Sequence, residues 1–403
     1  MSAEPDEIRW VPVGEVGEVR MGKQLSPTSS QADGMHAPYL RVANVLDGWI
    51  DYSDVKTMRF SPLERQKYGL EPGDILLNEG QSLELVGRSA TYDGPRNTYC
   101  FQNTLIRFRS SHDVVPAYAR EVFRGWLNDG TFASIAKKTT SIAHLGGGRF
   151  AKLSFPLIPL VRQLRIVEIL DSITEVERAS ERAIAKLQTL REAAVDEELE
   201  RFAWSSQLKD FLAEDPRNGF SPLESSEWTG VQMLGLGCLT TEGFKPKQIK
   251  NAPPGVLAYG KALLRDGDLL MSRANTRSLV GLCGIYRDIG TPCIYPDLMM
   301  RLRLASGVSA EFIEILLGSG RVRREVQGVA QGTSGSMVKI SSQMVQGICV
   351  PLPGASDQKR ISAVVREFNG RIVAETEALR KIRRMRGGIV DRLIGGRLDE
   401  NRA

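Results

Sequence analysis

What most constrains this chain is that it repeats itself. The stretch Leu70-Glu-Pro-Gly-Asp-Ile-Leu-Leu-Asn78 returns as Leu264-Arg-Asp-Gly-Asp-Leu-Leu-Met-Ser272, an offset of 194 residues. The same offset takes Val86-Gly87 to Val280-Gly281, Asn103 to Asp297 and Thr140 to Ser334. From Ile166 the offset becomes 195, pairing Ile166 with Ile361 and holding to Val195 and Val390, each followed by Asp. A ladder of matches this long marks a duplication, so the chain must fold as two versions of one unit.

Each copy has two parts. The first is rich in β-branched and aromatic residues broken by Gly, Pro and Asp, which reads as short strands and turns. Strands are expected at Asp74–Leu77, Gly87–Tyr92 and Thr104–Phe108, and again at Asp268–Met271, Gly281–Tyr286 and Leu298–Leu302. Helices are expected near Tyr118–Leu127 and Ala310–Leu317. The Gly146-Gly147-Gly148 run has no sequence counterpart in the second copy, so the loops there should differ.

The second part is a long helix. Ile166, Ile173, Leu187 and Ala194 recur on a seven-residue step that Ser180 interrupts; Ile361, Phe368, Ile382 and Ile389 do the same around Glu375. A second apolar row reads as Ile169, Val176, Ala183 and Leu190 in one copy, and Val365, Ile372, Leu379 and Leu393 in the other. Heptad spacing buries a narrow seam against a partner helix. A helix of about 35–40 residues is roughly 50–60 Å long, too long to lie on one small domain. Leu157-Ile-Pro-Leu160 leads into Gln163-Leu-Arg-Ile166, as Val350-Pro-Leu-Pro353 leads into Gln358-Lys-Arg-Ile361, with Asp357 as the expected N-cap. Gly387-Gly388 inside the second helix should kink or end it. The polar stretch around Asp215-Pro-Arg-Asn-Gly219 reads as a linker, and Trp10 and Trp228 read as openers of the two globular parts.

Charge and cysteine usage narrow the class. A net charge of +5 over 403 residues fits a nucleic-acid partner without requiring one. Five cysteines, with no C-x-x-C pair, read as buried thiols of a reducing cytoplasm. The polar start Met1–Asp6 lacks the apolar core of a signal peptide. His36, His112 and His144 stand in no metal-ligand spacing, and no P-loop pattern occurs. Asn251-Ala-Pro-Pro254 lacks the aromatic residue of an amino-methyltransferase motif and reads as a turn.

Two globular parts, each followed by an I-P-L-x-x-Q-x-x-I-type helix entry, resemble the specificity subunits of Type I restriction-modification systems. The resemblance runs from about Trp10 to Leu398. It implies an α+β chain: two mixed α/β target recognition domains joined by two long antiparallel coiled-coil helices in a pseudo-twofold repeat. The expected boundaries are a first recognition domain at 1–160, a spacer helix at 161–204, a linker at 205–227, a second recognition domain at 228–353 and a second spacer helix at 354–398. Each domain would read one half of a split double-stranded DNA site. The chain would recruit two methyltransferase subunits that use S-adenosylmethionine, and a motor-nuclease subunit using ATP and Mg2+ can join them. No cofactor is expected on this chain, and no catalytic residue or metal.

Base readout needs polar side chains carried into a groove. Two regions per copy qualify. In the first copy they hold Asn78, Gln81 and Arg88, then Lys137, Lys138, Thr140, Ser141 and His144. In the second copy they hold Arg273, Asn275, Thr276 and Arg277, then Thr333, Ser334 and Lys339. Arg273 and Arg277 stand out, because arginine grips guanine through two hydrogen bonds. Three readings stay open on sequence alone: a specificity subunit of this or another defence system, a stand-alone nuclease or methyltransferase, and an adaptor that binds only protein.

Overall fold

The computed structural model describes residues 8–25, 34–139, 142–255, 260–334 and 337–394. They fall into two units, one of residues 1–179 with 378–403, the other of residues 180–377.

In the first unit a four-stranded antiparallel sheet runs in the order β2 (Gly17–Met21), β9 (Leu105–Ser110), β5 (Ile75–Asn78), β7 (Ser89–Thr91). A second sheet orders β4 (Lys56–Phe60), β3 (Met35–Leu40) and β8 (Cys100–Phe101), with β3 and β8 parallel. A small ribbon joins β10 (Lys137–Lys138), β11 (Ala143–His144) and β6 (Gly80–Gln81), and β1 (Arg9–Pro12) pairs with β12 (Ser154–Leu157). The second unit repeats all four arrangements. Its main sheet is β14 (Arg217–Asn218), β23 (Met299–Leu302), β19 (Leu269–Ser272), β21 (Cys283–Ile285). Its second sheet is β18 (Ile249–Asn251), β15 (Gln232–Leu234), β22 (Cys293–Ile294), again with one parallel pair. Its ribbon is β20 (Ala274–Asn275), β25 (Met337–Lys339), β24 (Gln331–Ser334), and β13 (Ser206–Gln207) pairs with β26 (Cys349–Val350). A hairpin of β16 (Leu239–Thr240) and β17 (Gly243–Phe244) is added.

The duplicated sequence is a duplicated hydrogen-bond scheme. Gly73 and Gly267 both take φ near +90° (93° and 88°), which a side chain would oppose. The following Asp74 and Asp268 accept from the backbone N–H of Glu71 and Arg265, at 2.8 and 2.9 Å, closing the turn. Arg107 and Arg301, 194 apart, are buried on the central strands and donate to the carbonyls of Gly69 and Leu263, also 194 apart. Strands β5 and β19 are buried along their whole length, as central strands covered on both faces should be. The expected helices form as Pro116–Asn128 and Ala310–Gly318.

The long helices span Leu160–Glu200 and Ala355–Ile394, 41 and 40 residues. In the second unit Arg191 donates to Asn369 and Arg360 pairs with Glu198, so numbers rise along one helix as they fall along the other: the pair is antiparallel. The seam row Ile166–Ile173–Ser180–Leu187–Ala194 is buried or half-buried. The second row of the first helix differs from expectation. Ile169, Val176 and Leu190 are exposed, and the inward row is Gln163, Leu170, Glu177, Ile184, Arg191 and Glu198. Three of those six positions are charged, which hides the row from an apolar count.

Other expectations are corrected. The stretch 205–227 is not a linker: β13 and β14 pair with β26 and β23, and Leu208 and Phe211 are core. Trp228 is exposed and follows those strands, so it does not open the unit. Trp204, 194 residues after Trp10, stands just before β13. Asp357 lies inside the first helical turn, where it pairs with Arg360, and so is not the cap. The second helix runs through Gly387 and Gly388. The triple-glycine stretch has a structural counterpart after all: a short helix at Gly147–Phe150 matches one at Ser342–Gln346. Gly146 enters its helix at φ +73°, whereas Ser341 enters its helix by capping the N–H of Met344.

Candidate nucleic-acid interface

The two sequence regions singled out in each copy converge on the ribbon. In the first unit β6 leaves the central strand β5 after Asn78 and Glu79 and pairs with β11, which pairs with β10. Gln81 thus stands opposite Ala143, and Ala143 opposite Lys138. In the second unit Asn275 stands opposite Val338, and Ala274 opposite Lys339, which also faces Gln331. Side chains alternate along β25. Val338 turns into the core while Met337 and Lys339 on either side are exposed, as a half-buried strand requires.

Lys137, Lys138, Arg277 and Lys339 are exposed, and Gln81, Arg88, Arg273, Asn275 and Thr276 are half-buried. Thr333 and Ser334 belong to β24 by their backbone, and Thr140 and Ser141 lie outside the described residues. Asn78 is corrected. It is fully buried, and its amide donates to the carbonyl of Val45 at 3.2 Å, so it serves the interior. Its equivalent Ser272 is buried too. Glu79, which the candidate set passed over, stands beside the ribbon, and His144, a candidate from the sequence, lies on β11. Glu79 and His144 are joined at 3.0 Å, with side chains 15% and 43% exposed.

The loops beside the ribbons are held differently. In the second unit Arg323 donates to the carbonyls of Ser278 and Val280 at 2.8 and 2.7 Å, and Arg277 donates to that of Gln327 at 2.7 Å. The loop is thereby pinned to the helix Gly320–Val329. In the first unit the corresponding loop borders a cavity of about 430 Å3 lined by Asp47, Leu85, Arg88, Leu127 and Asn128. The Glu84 carboxyl is held below its usual range by its own backbone N–H, then by Ser82, with the charge of Lys138 adding to both. Arg273 is loosely tethered, its guanidinium 3.5 Å from the Asp297 carbonyl. Arg273, Arg277 and Lys339 make the second ribbon donor-rich, whereas the first mixes Lys137 and Lys138 with Glu79 and Glu84. Such edges suit the acceptors of bases and phosphates. No described helix is long and apolar enough to cross a membrane.

Residues 5–188 match the family described as the Type I restriction modification DNA specificity domain. The chain is 24% identical over 358 residues to the Type I restriction enzyme EcoKI specificity subunit of Escherichia coli, covering 81% of this chain and 74% of that one. It is 22% identical over 400 residues to a putative type I restriction enzyme MjaX specificity subunit of Methanocaldococcus jannaschii, covering 91% and 88%. A solved structure described as addressing complex assembly and conformational transition of the type I R-M system shares the fold. It has a TM-score of 0.65, 17% identity, and coverage of 96% of this chain and 98% of that one.

Proposed function

We propose that this chain is a specificity subunit of the Type I restriction-modification kind, as the match over residues 5–188 and its relatives suggest, and that it selects DNA as follows. Each unit reads one half of a split site through its ribbon, and the chain brings a methyltransferase to the adenines there. The observation that carries the reading is that both units build the same ribbon at the same chain offset and furnish it with different side chains. A symmetric dimer would read a palindrome; two unlike ribbons read two unlike half-sites.

The chemistry is a partner's task. Two methyltransferase subunits would carry S-adenosylmethionine, and a motor-nuclease subunit would use ATP and Mg2+; this chain would hold none of these and carry no catalytic group. The working place is the cytoplasm, where DNA and reduced thiols coexist. All five cysteines are free, and four are buried.

The test is a titration of the chain with its methyltransferase partner against duplex DNA at several salt concentrations. Phosphate contacts release counterions, so the affinity should fall with a log–log slope of about −0.9 per contact. Affinity independent of salt would refute the reading, and no affinity for DNA at all would favour an adaptor that binds only protein.

A further inference from the structure

One rung of each ribbon is built identically and charged oppositely. Glu79 donates its N–H to the carbonyl of Thr104 and accepts from Leu145 N–H, at 2.9 and 2.8 Å. Arg273 donates to Leu298 and accepts from Ile340, at 2.8 and 2.9 Å. All three pairs of residues are related by the repeat, at 194 for Glu79 and Arg273, 194 for Thr104 and Leu298, and 195 for Leu145 and Ile340. On the next rung Gly80 faces His144, and Ala274 faces Lys339. A Glu–His pair in the first ribbon therefore occupies the place of an Arg–Lys pair in the second.

We propose that Glu79–His144 and Arg273–Lys339 are the specificity-determining pairs of their ribbons; this rests on the reading that each ribbon faces one half-site. A carboxylate cannot donate, so the contact with Glu79 puts the proton of a neutral His144 ring on Nδ1. Nε2 is then left as an acceptor. That edge matches an exocyclic amino group, N4 of cytosine or N6 of adenine, in the major groove. Glu79 is the more buried partner and acts through the ring, as a positioning residue. Arg273 and Lys339 are donors only, and match the O6 and N7 acceptors of guanine. The two half-sites then differ in kind at the equivalent position: an amino-bearing base under the first ribbon, guanine under the second.

A simple tether between β6 and β11 would also join Glu79 to His144, and the test separates the two roles. The chain is purified with its methyltransferase partner as wild type, as Glu79→Arg/His144→Lys and as His144→Ala, and each selects from randomised duplex DNA. The wild type should return a bipartite site. The double variant should shift one position of one half-site toward guanine, by about tenfold or more, with the other half unchanged. His144→Ala removes the acceptor and alters only a half-exposed side chain; it should weaken preference at that same position alone, which keeps the idea testable if the double variant does not fold. Unchanged preference in the folded variants, or changes spread over both halves, would overturn the assignment. A wild type that returns no bipartite site would instead bring down the reading on which it rests.

Discussion

Replacing Gln163 by leucine tests how each long helix is fastened to the unit it leaves. Gln163 is fully buried. Its amide donates to the carbonyls of Asp113 and Ile158, both at 2.8 Å, and its carbonyl accepts from Val115 N–H at 2.8 Å. One side chain thus ties the strand exit, the start of the helix Pro116–Asn128 and the first turn of the long helix. Leucine keeps most of the volume and removes all three bonds. Asp113 is exposed, and its carbonyl can turn to water. The Val115 N–H and the Ile158 carbonyl cannot do so freely, and each orphaned group costs about 1–3 kcal/mol. The expected loss is about 2–5 kcal/mol, a large part of an ordinary domain's stability. Gln358, the equivalent in the second unit, makes two such bonds, to Ser309 N–H and the Pro353 carbonyl, so Gln358→Leu should cost somewhat less. Gln163→Glu should be at least as damaging as leucine, because it sets a carboxylate against two carbonyl oxygens. Urea unfolding followed by far-ultraviolet circular dichroism reads the stability, and hydrogen exchange of the segment 113–128 reads the site. A Gln163→Leu midpoint equal to wild type, with Val115 still protected, would refute the reasoning.

Other outcomes follow from the same geometry. Arg273→Ala should cost about 1–3 kcal/mol at one base position; an equal loss on every sequence would mark Arg273 as a phosphate contact. An exchange of recognition domains cut at residue 228 should fail to fold, since it strands β13 and β14 away from β26 and β23, whereas a cut at 205 should fold and change one half-site. Equal yields of soluble protein from both cuts would contradict that. Burial pushes the thiol of Cys100 up to about 11 and those of Cys283 and Cys293 to about 12. An alkylating reagent at about pH 8 should therefore label the half-buried Cys349 before these three in the native chain; rapid labelling of Cys283 would contradict the packing.

Much of the fold could be read from the repeat. The offset located the turns at Gly73 and Gly267, the central strands and both helix entries, because these are held by local backbone demands that the same residues meet twice. The expected linker failed for a physical reason. β13 and β14 are two residues long, too short to show alternation, and the core contact beside them rests on Leu208 and Phe211 amid polar neighbours. The inward row of the first helix was hidden by Glu177, Arg191 and Glu198. The 195 offset would have found it, since it carries Val365 back to Leu170, not to Ile169. The ribbon residues were half legible. Polar residues after a turn were sound candidates, yet Asn78 still belongs to a fully buried strand, and the matching small polar Ser272 was the available sign. Glu79 was passed over because carboxylates read as repelled by DNA; its contact with His144 bridges residues 65 apart, which only the fold brings together.

The central claim is that this chain chooses which adenines are methylated, and one measurement addresses it most directly. The chain is expressed with its methyltransferase partner in a host lacking adenine methylation, and the genome is sequenced for modified adenines, with and without this chain. The account predicts a split motif with two unlike halves, methylated on both strands and absent when this chain is omitted. Methylation that persists unchanged without the chain, or a single unbroken motif, would contradict it.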